Sequence, residues 1–497
     1  NDGAFHAIDA SHDNVNGNGE EIFAFIPQDL LPNQLDYFTD DPDGVRRYGL
    51  DGPMTVWREE SDEDTDINIE PLEGDHIYAY FGMRRGGKNY YALDVTDRNN
   101  PKVLWTIFGD DEDNHPDFKD MGQTWSRPVL SRVNWNCNSD GENCTSKTVL
   151  FFGGGYDTVH DNATAFTEDD KGAVIYMVDA LNGDLLWSAG DKSDNSAHNL
   201  NLKIENSIPG DLTVADMDGD GADDILFAVD IQGNVWRVDF NSASENASDF
   251  AQDSSGNDTG ARIANFEDYG PDDIEGTTDD VFRRFYTGPT VSLSQKRGQT
   301  PFFVITFGSG YVAHPKEIAV TDRLYSLFEY SILEPPTDND GDPDYTLVGN
   351  SALKDMTDPD ADPADPNADP DSDAYAYHGF YRDAQVAGEK FLRSALTIFG
   401  QTLYTSYLPD GVAVVDDDDE ISTTCGSEYL GFSRIYSIDF VTGKSVYTGE
   451  YIDLKHPGIA PEPAVLFIAG PDGVKTNVCV GTECQKSPDD DEEDCDE

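Results

Sequence analysis

Apolar and aromatic positions along this chain alternate with polar ones in short runs separated by glycine-rich or acidic turns. This period of two predicts β-strands, and almost no stretch carries the 3.6-residue period of a helix. One strand recurs with the same ending: His6-Ala7-Ile8-Asp9, Tyr91-Ala92-Leu93-Asp94, Tyr176-Met177-Val178-Asp179, Trp236-Arg237-Val238-Asp239 and Tyr436-Ser437-Ile438-Asp439. Leu324-Tyr325-Ser326-Leu327-Phe328 is a degenerate copy. Turns containing Asn182-Gly183 or Thr442-Gly443 follow two copies, and Leu104-Trp105 and Leu186-Trp187 mark the next strand in two. A second element, Phe151-Phe152-Gly153-Gly154-Gly155-Tyr156, returns as Ile305-Thr306-Phe307-Gly308-Ser309-Gly310-Tyr311, and a third sets Pro128, Pro209 and Pro289 just before apolar strands. Repeated strand sets with variable insertions predict an all-β fold, a modified β-propeller with long acidic loop insertions. The propeller is expected over residues 1–475, with acidic insertions at 241–280 and 334–375, and residues 476–497 are expected to be a cysteine-containing acidic tail.

Composition marks the loops. Ser61 to Asp66, Asn241 to Gly260, Asp268 to Asp280, Asp338 to Asp344, Thr357 to Asp373 and Asp416 to Glu420 are acidic, and most are rich in Gly, Pro, Ser or Asn as well. Asp358-Pro359, Asp362-Pro363, Asp365-Pro366 and Asp369-Pro370 form a run that cannot donate regular ladder bonds.

One acidic loop has a pattern with chemical meaning. Asp216, Asp218, Asp220 and Asp224 occupy the first, third, fifth and ninth positions of an EF-hand-type calcium loop, with Gly221 where the chain must bend. A hard cation of this size takes about 6–8 oxygens, so alternate residues of one tight turn point carboxylates inward. The twelfth position, normally a bidentate Glu, is Phe227, and Ile225 to Val229 reads as a strand; the loop therefore opens a β-hairpin rather than a helix. Asp224 would then bind Ca2+ directly, with the carbonyl of Ala222 and water completing the shell, and Asp224 rather than Asp223 matches the spacing. An acidic surface turn is the plainer alternative. Asp338, Asp340, Asp342 and Asp344 alternate in the same way and form a second, weaker candidate, in which Pro343 replaces the bend glycine.

Charge narrows the partners. Asp and Glu number 98 against 32 Lys and Arg, a formal charge of -66 over 497 residues, which repels nucleic acid and anionic membrane surfaces. Self-repulsion of this size is best tolerated where salt screens it, so a saline or calcium-containing exterior fits. No apolar run is long enough for a membrane span. The start at Asn1, inside a strand-like segment, reads as a fragment or processed form. Cys137 with Cys144 and Cys479 with Cys484 would each close a small loop, so disulfides of an exported protein are favoured over free thiols; Cys425 and Cys495 have no assignable partner. His6, His76, His160, His198, His314 and His378 are scattered without metal spacing.

Asn1-Asp2-Gly3-Ala4-Phe5-His6-Ala7-Ile8-Asp9, Glu21 to Pro27, Tyr90 to Thr96, Gly122 to Pro128, Phe151 to Asp157, and Asp216 to Asp224 with Gln232 to Arg237 stand in one order that resembles the C-terminal propeller of the PilC/PilY family, the type IV pilus tip-associated adhesins. The resemblance implies about seven blades carrying one calcium loop, and a domain that normally follows an N-terminal region. It implies a non-enzymatic role in pilus extension and surface adhesion, outside the cell at the pilus tip. Minor pilins or the tip complex, and a host or abiotic surface, would be the partners. It also makes Asp216, Asp218, Asp220 and Asp224 the matching calcium carboxylates. Two other functions stay open: a quinone-dependent propeller dehydrogenase, for which no quinone site is identifiable, and a structural or carbohydrate-binding extracellular propeller.

Overall fold

The computed structural model describes residues 3–9, 19–39, 47–60, 74–135, 137, 144–193, 195, 197–241, 247–270, 280–295, 300–338, 340–363, 377–409, 430–447, 449–470 and 473–486. Two compact units divide the chain. Asn1–Asn162, Thr167–Ala228 and Arg237–Ala261 make one; Ala163–Phe166, Val229–Trp236 and Arg262–Glu497 make the other.

Among the described residues the strands fall into seven sheets. Phe5–Ile8 pairs with Glu21–Phe25. Met54–Glu59, His76–Gly82, Tyr90–Asp94 and Lys102–Ile107 follow as a simple antiparallel meander. Val129–Trp135, Thr145–Gly153, Val174–Asp179 and Leu185–Gly190 repeat it, with Leu200–Asn201 added in parallel at the edge. The sheet after that runs Thr213–Ala215, Ile225–Val229, Asn234–Asp239, Gly260–Asn265 and Val348–Gly349. The second unit continues with Thr290–Ser294, Phe302–Gly308, Arg323–Glu329 and Gly379–Asp383, then Leu396–Ile398, Gln401–Leu408, Phe432–Asp439 and Ile452–Asp453, and last Pro463–Gly470, Gly473–Val480 and Glu483–Lys486. Seven sheets built mainly as meanders of consecutive strands are the blades of an all-β propeller, as the repeats predict.

The recurring aspartate has a local cause. At the end of its strand Asp94 accepts the Thr96 N–H at 3.0 Å and the Thr96 hydroxyl at 2.6 Å. Asp179 accepts the Leu181 N–H at 2.8 Å, and Asp439 takes the N–H groups of Val441 and Thr442 at 3.1 and 2.7 Å. Each carboxylate thus satisfies the first donors of the turn that sends the chain back. The copy at Asp239 differs, because its carboxylate instead takes two bonds from the buried Arg237 guanidinium, at 2.9 and 2.6 Å. The glycine-rich element is equally constrained: a Cβ on Gly155, at φ 99°, would meet the Gln123 carbonyl at 2.1 Å.

Where the sequence expectation and the chain part, burial explains why. The boundary at 475/476 falls inside Gly473–Val480, which pairs along its whole length with Pro463–Gly470, so residues 476–486 are sheet rather than tail. Val478 and Val480 are buried there, and residues 487–497 lie outside the described residues. The 241–280 insertion contains a sheet strand, Gly260–Asn265, with Ile263 and Ala264 buried; the 334–375 insertion contributes Val348–Gly349 and Lys354–Asp355 at sheet edges. Acidic neighbours hid these short strands from a composition-based reading. A short helix, Gln34–Thr39, also forms. Cys137–Cys144 and Cys479–Cys484 are disulfides, the favoured reading, while Cys425 and Cys495 lie outside the described residues.

The second unit buries charge as well as rings. Glu389 is fully buried and accepts from Ser406 Oγ at 2.5 Å, Tyr436 OH at 2.6 Å, the Gln385 N–H at 3.1 Å and Arg434 Nη1 at 3.4 Å. Arg434 also bonds Asp453 at 3.1 Å and lies over the Tyr451 ring at 3.8 Å. Beside this network Tyr404 stacks on Tyr436 with ring centroids 4.9 Å apart.

Candidate metal centre

The Asp216 to Asp224 loop joins Thr213–Ala215 to Ile225–Val229, paired from Thr213↔Phe227 to Ala215↔Ile225, so it opens a hairpin as its sequence predicts. Asp224 N–H donates to the Ala215 carbonyl at 2.8 Å, and its own carbonyl accepts the Phe240 N–H at 2.7 Å. These bonds fix the ninth position to the sheet. Within the loop Asp216 takes the N–H groups of Gly219 and Gly221 at 2.7 and 2.9 Å, and Asp224 takes that of Met217 at 2.7 Å. Gly219 and Gly221 have φ of 81° and 90°, the left-handed region, which lets the backbone donors turn inward.

The result is a convergence of carboxylates. One oxygen each from Asp216, Asp218 and Asp224 lies within 4.8 Å of the others, and this is the only such group of three or more His, Cys, Asp or Glu among the described residues. Three anionic oxygens held this close, with Asp216 and Asp218 exposed to solvent, fit a hard divalent cation that prefers oxygen ligands and keeps some water. Burial raises the Asp224 carboxyl above its ordinary value, and the nearby Asp218 and Asp220 charges add to the shift.

Not every expected ligand joins. Asp220 is not in the group: its Oδ2 accepts from Asn134 Nδ2 at 2.8 Å and its Oδ1 from the Ala222 N–H at 2.8 Å. Ala222 itself is buried. Asp223 faces away from the cluster, taking Ser131 Oγ at 2.5 Å while its N–H donates to the Arg132 carbonyl at 2.8 Å. At the second candidate, Asp338 Oδ1 accepts the N–H groups of Asp340 and Asp342 at 2.8 and 3.1 Å, closing a turn in which Gly341 has φ 89°. Asp338, Asp340, Asp342 and Asp344 do not form a convergent group of the first kind. The histidines serve packing and pairing instead; His160 lies 2.6 Å from Asp169 with both side chains fully buried, and His198 lies 3.0 Å from Ser188 Oγ.

A residue that sequence alone does not single out lies in the turn after this hairpin's second strand. Asp230 is fully buried and accepts from the N–H groups of Gln232 and Asn234, from Asn234 Nδ2 and from Trp236 Nε1, all at 2.9–3.2 Å. Burial pushes its carboxyl up to about 7, against the pull of these donors. Because the folded group holds its proton to higher pH than the unfolded one, its contribution to stability is complete below about pH 4 and is lost as the pH rises through about 7. Thermal unfolding at pH 5.5 and 8 should show the wild type losing stability over that window, and Asp230→Asn, neutral at both values, should narrow the gap.

A propeller with one cation-type loop in a blade hairpin is the class these features define. A family model described as the PilY1 beta-propeller domain matches residues 1–331, and the chain belongs to that family. It is 24% identical over 463 residues to a type IV pilus biogenesis factor PilY1 homolog of Xylella fastidiosa, covering 89% of this chain and 26% of the relative. It is 26% identical over 338 residues to the type IV pilus biogenesis factor PilY1 of Pseudomonas aeruginosa strain PAO1, covering 66% of this chain and 24% of the relative. The chain thus spans about a quarter of the length of the curated relatives it matches. Among solved structures, the Pseudomonas aeruginosa PilY1 C-terminal domain is similar in fold, with a TM-score of 0.60, 17% identity, and 98% of this chain and 91% of that chain covered.

Proposed function

We propose that this chain is the calcium-binding propeller of a type IV pilus biogenesis factor, exported to the pilus tip or cell surface, where it supports pilus extension and surface adhesion. The observation that carries the reading is the convergence of Asp216, Asp218 and Asp224 inside a blade hairpin of a PilY1-family domain. The relatives are named as pilus biogenesis factors, which supports minor pilins or the tip complex as partners and a role in binding rather than catalysis. Among the described residues no helix is long and apolar enough to cross a membrane.

Bound calcium would supply two positive charges that offset the mutual repulsion of the clustered carboxylates. Asp216, Asp218 and Asp224 would hold it, with the Ala222 carbonyl and water completing the shell. Asp216 keeps Gly219 and Gly221 turned inward while it does so, and Asp224 ties the site to the sheet through Ala215 and Phe240. An ion that binds only the folded loop stabilises it by mass action, so calcium level sets how well the adjoining surface is ordered.

Pili sheared from cells carrying the full-length protein, and washed in calcium or in chelator, test this directly. The domain should stay with pili in calcium and be depleted after chelation. Equal retention in both washes would overturn the calcium dependence, and absence from both fractions would overturn the pilus role.

A further inference from the structure

The calcium loop is gripped from outside by a strand of another sheet. Val129–Trp135 offers Ser131 Oγ to Asp223 at 2.5 Å, the Arg132 carbonyl to the Asp223 N–H at 2.8 Å, and Asn134 Nδ2 to Asp220 Oδ2 at 2.8 Å. The first two contacts use a residue outside the ligand pattern and set the strand's position against the loop. Trp135, the next residue along, packs its ring on Phe250 with centroids 5.5 Å apart, which holds the Asn134 end of the strand in place. The third contact is of another kind, since it engages the carboxylate at the fifth position of the calcium pattern. That carboxylate is the one pattern member missing from the convergent group.

We propose that Asn134 is a latch on the calcium site: its side-chain amide withholds Asp220 from the cluster, and the ion must compete with it to recruit the fourth carboxylate. The inference rests on the calcium reading above and adds the residue that tunes it. A hydrogen bond from a neutral amide to a carboxylate is strong enough to shape affinity and weak enough to yield to a divalent cation. Ion entry then exchanges a contact with Val129–Trp135 for a contact within the loop, so calcium changes how the loop is tied to that strand. Asn134 is a positioning residue in this scheme, acting only through Asp220.

Titration calorimetry with calcium chloride on the whole chain tests the latch through a double-mutant cycle of Asn134→Ala and Asp220→Ala. Asn134→Ala should bind calcium about three- to tenfold more tightly than wild type, the size expected when a competing charged hydrogen bond is removed. The gain should vanish when Asp220→Ala is added, because no carboxylate is left to release. Melting without calcium, run in parallel, shows whether each variant is folded, and Asn134→Ser replaces Asn134→Ala should the latter melt early. Unchanged or weaker binding in folded Asn134 variants, or a gain that survives Asp220→Ala, would overturn the latch while leaving the calcium reading intact. A wild-type chain that takes up no calcium would remove both.

Discussion

Asp216→Asn should lower calcium affinity by about 100-fold or more and abolish the rise in melting temperature that calcium gives the wild type. Asp216 is the first of the three converging carboxylates and also the acceptor for the Gly219 and Gly221 N–H groups, so it joins ion binding to loop shape. The Gly219 and Gly221 N–H groups use different oxygens of Asp216, so asparagine removes the charge and keeps an acceptor for one of them, where alanine keeps neither. For the wild type, an ion present at 100 times its dissociation constant adds about 2.7 kcal/mol to folding. Calorimetry and thermal unfolding in calcium and in chelator read the two effects separately. The variant should melt slightly below the wild type in chelator, through the lost loop hydrogen bond, and much further below it in calcium. Equal affinity in Asp216→Asn and wild type would show that the loop is not the site.

Glu389→Ala should be the most destabilising single change, costing about 3–5 kcal/mol, because it leaves a buried guanidinium without its buried counter-charge. Arg434 is 2% exposed, and the hydroxyls of Tyr436 and Ser406 lose an acceptor at the same time. Tyr436, whose hydroxyl belongs to this network, stacks on Tyr404, so the loss reaches the aromatic core of the second unit. Chemical denaturation followed by tryptophan and tyrosine fluorescence would record a lower midpoint. Glu389→Gln, which keeps an acceptor oxygen but no charge, should lose less. A Glu389→Ala midpoint within error of wild type would mean that Arg434 is adequately paired through Asp453 alone.

Much of the fold is legible in the sequence because its signals are local. An aspartate that closes the turn after its own strand needs only neighbours within a few residues, and Asp94, Asp179 and Asp439 announce their strands for that reason. The hairpin nature of the Asp216 to Asp224 loop is likewise local, written in Phe227 and the apolar run around it. What stays hidden depends on contacts distant along the chain. Nothing near Asp220 indicates that Asn134 holds it, and nothing near Glu389 indicates that Arg434 and Tyr436 surround it. Residues 476–480 read as tail because the pairing of their strand with Pro463–Gly470 is needed to show that Val478 and Val480 face a core. Acidic composition misleads in the same way at Gly260–Asn265, where a strand follows directly on a charged loop.

The two disulfides join cysteines only 7 and 5 residues apart, each within a single hairpin. Contacts of such short range form early in folding, before distant sheets have met, because closing so small a loop is fast. Oxidation of these pairs can therefore run ahead of blade assembly, each bridge choosing its neighbour without sorting among remote thiols. A chain folding under oxidising conditions would then begin with these two pairings already selected by proximity, leaving the slower docking of sheets to proceed on prestapled hairpins.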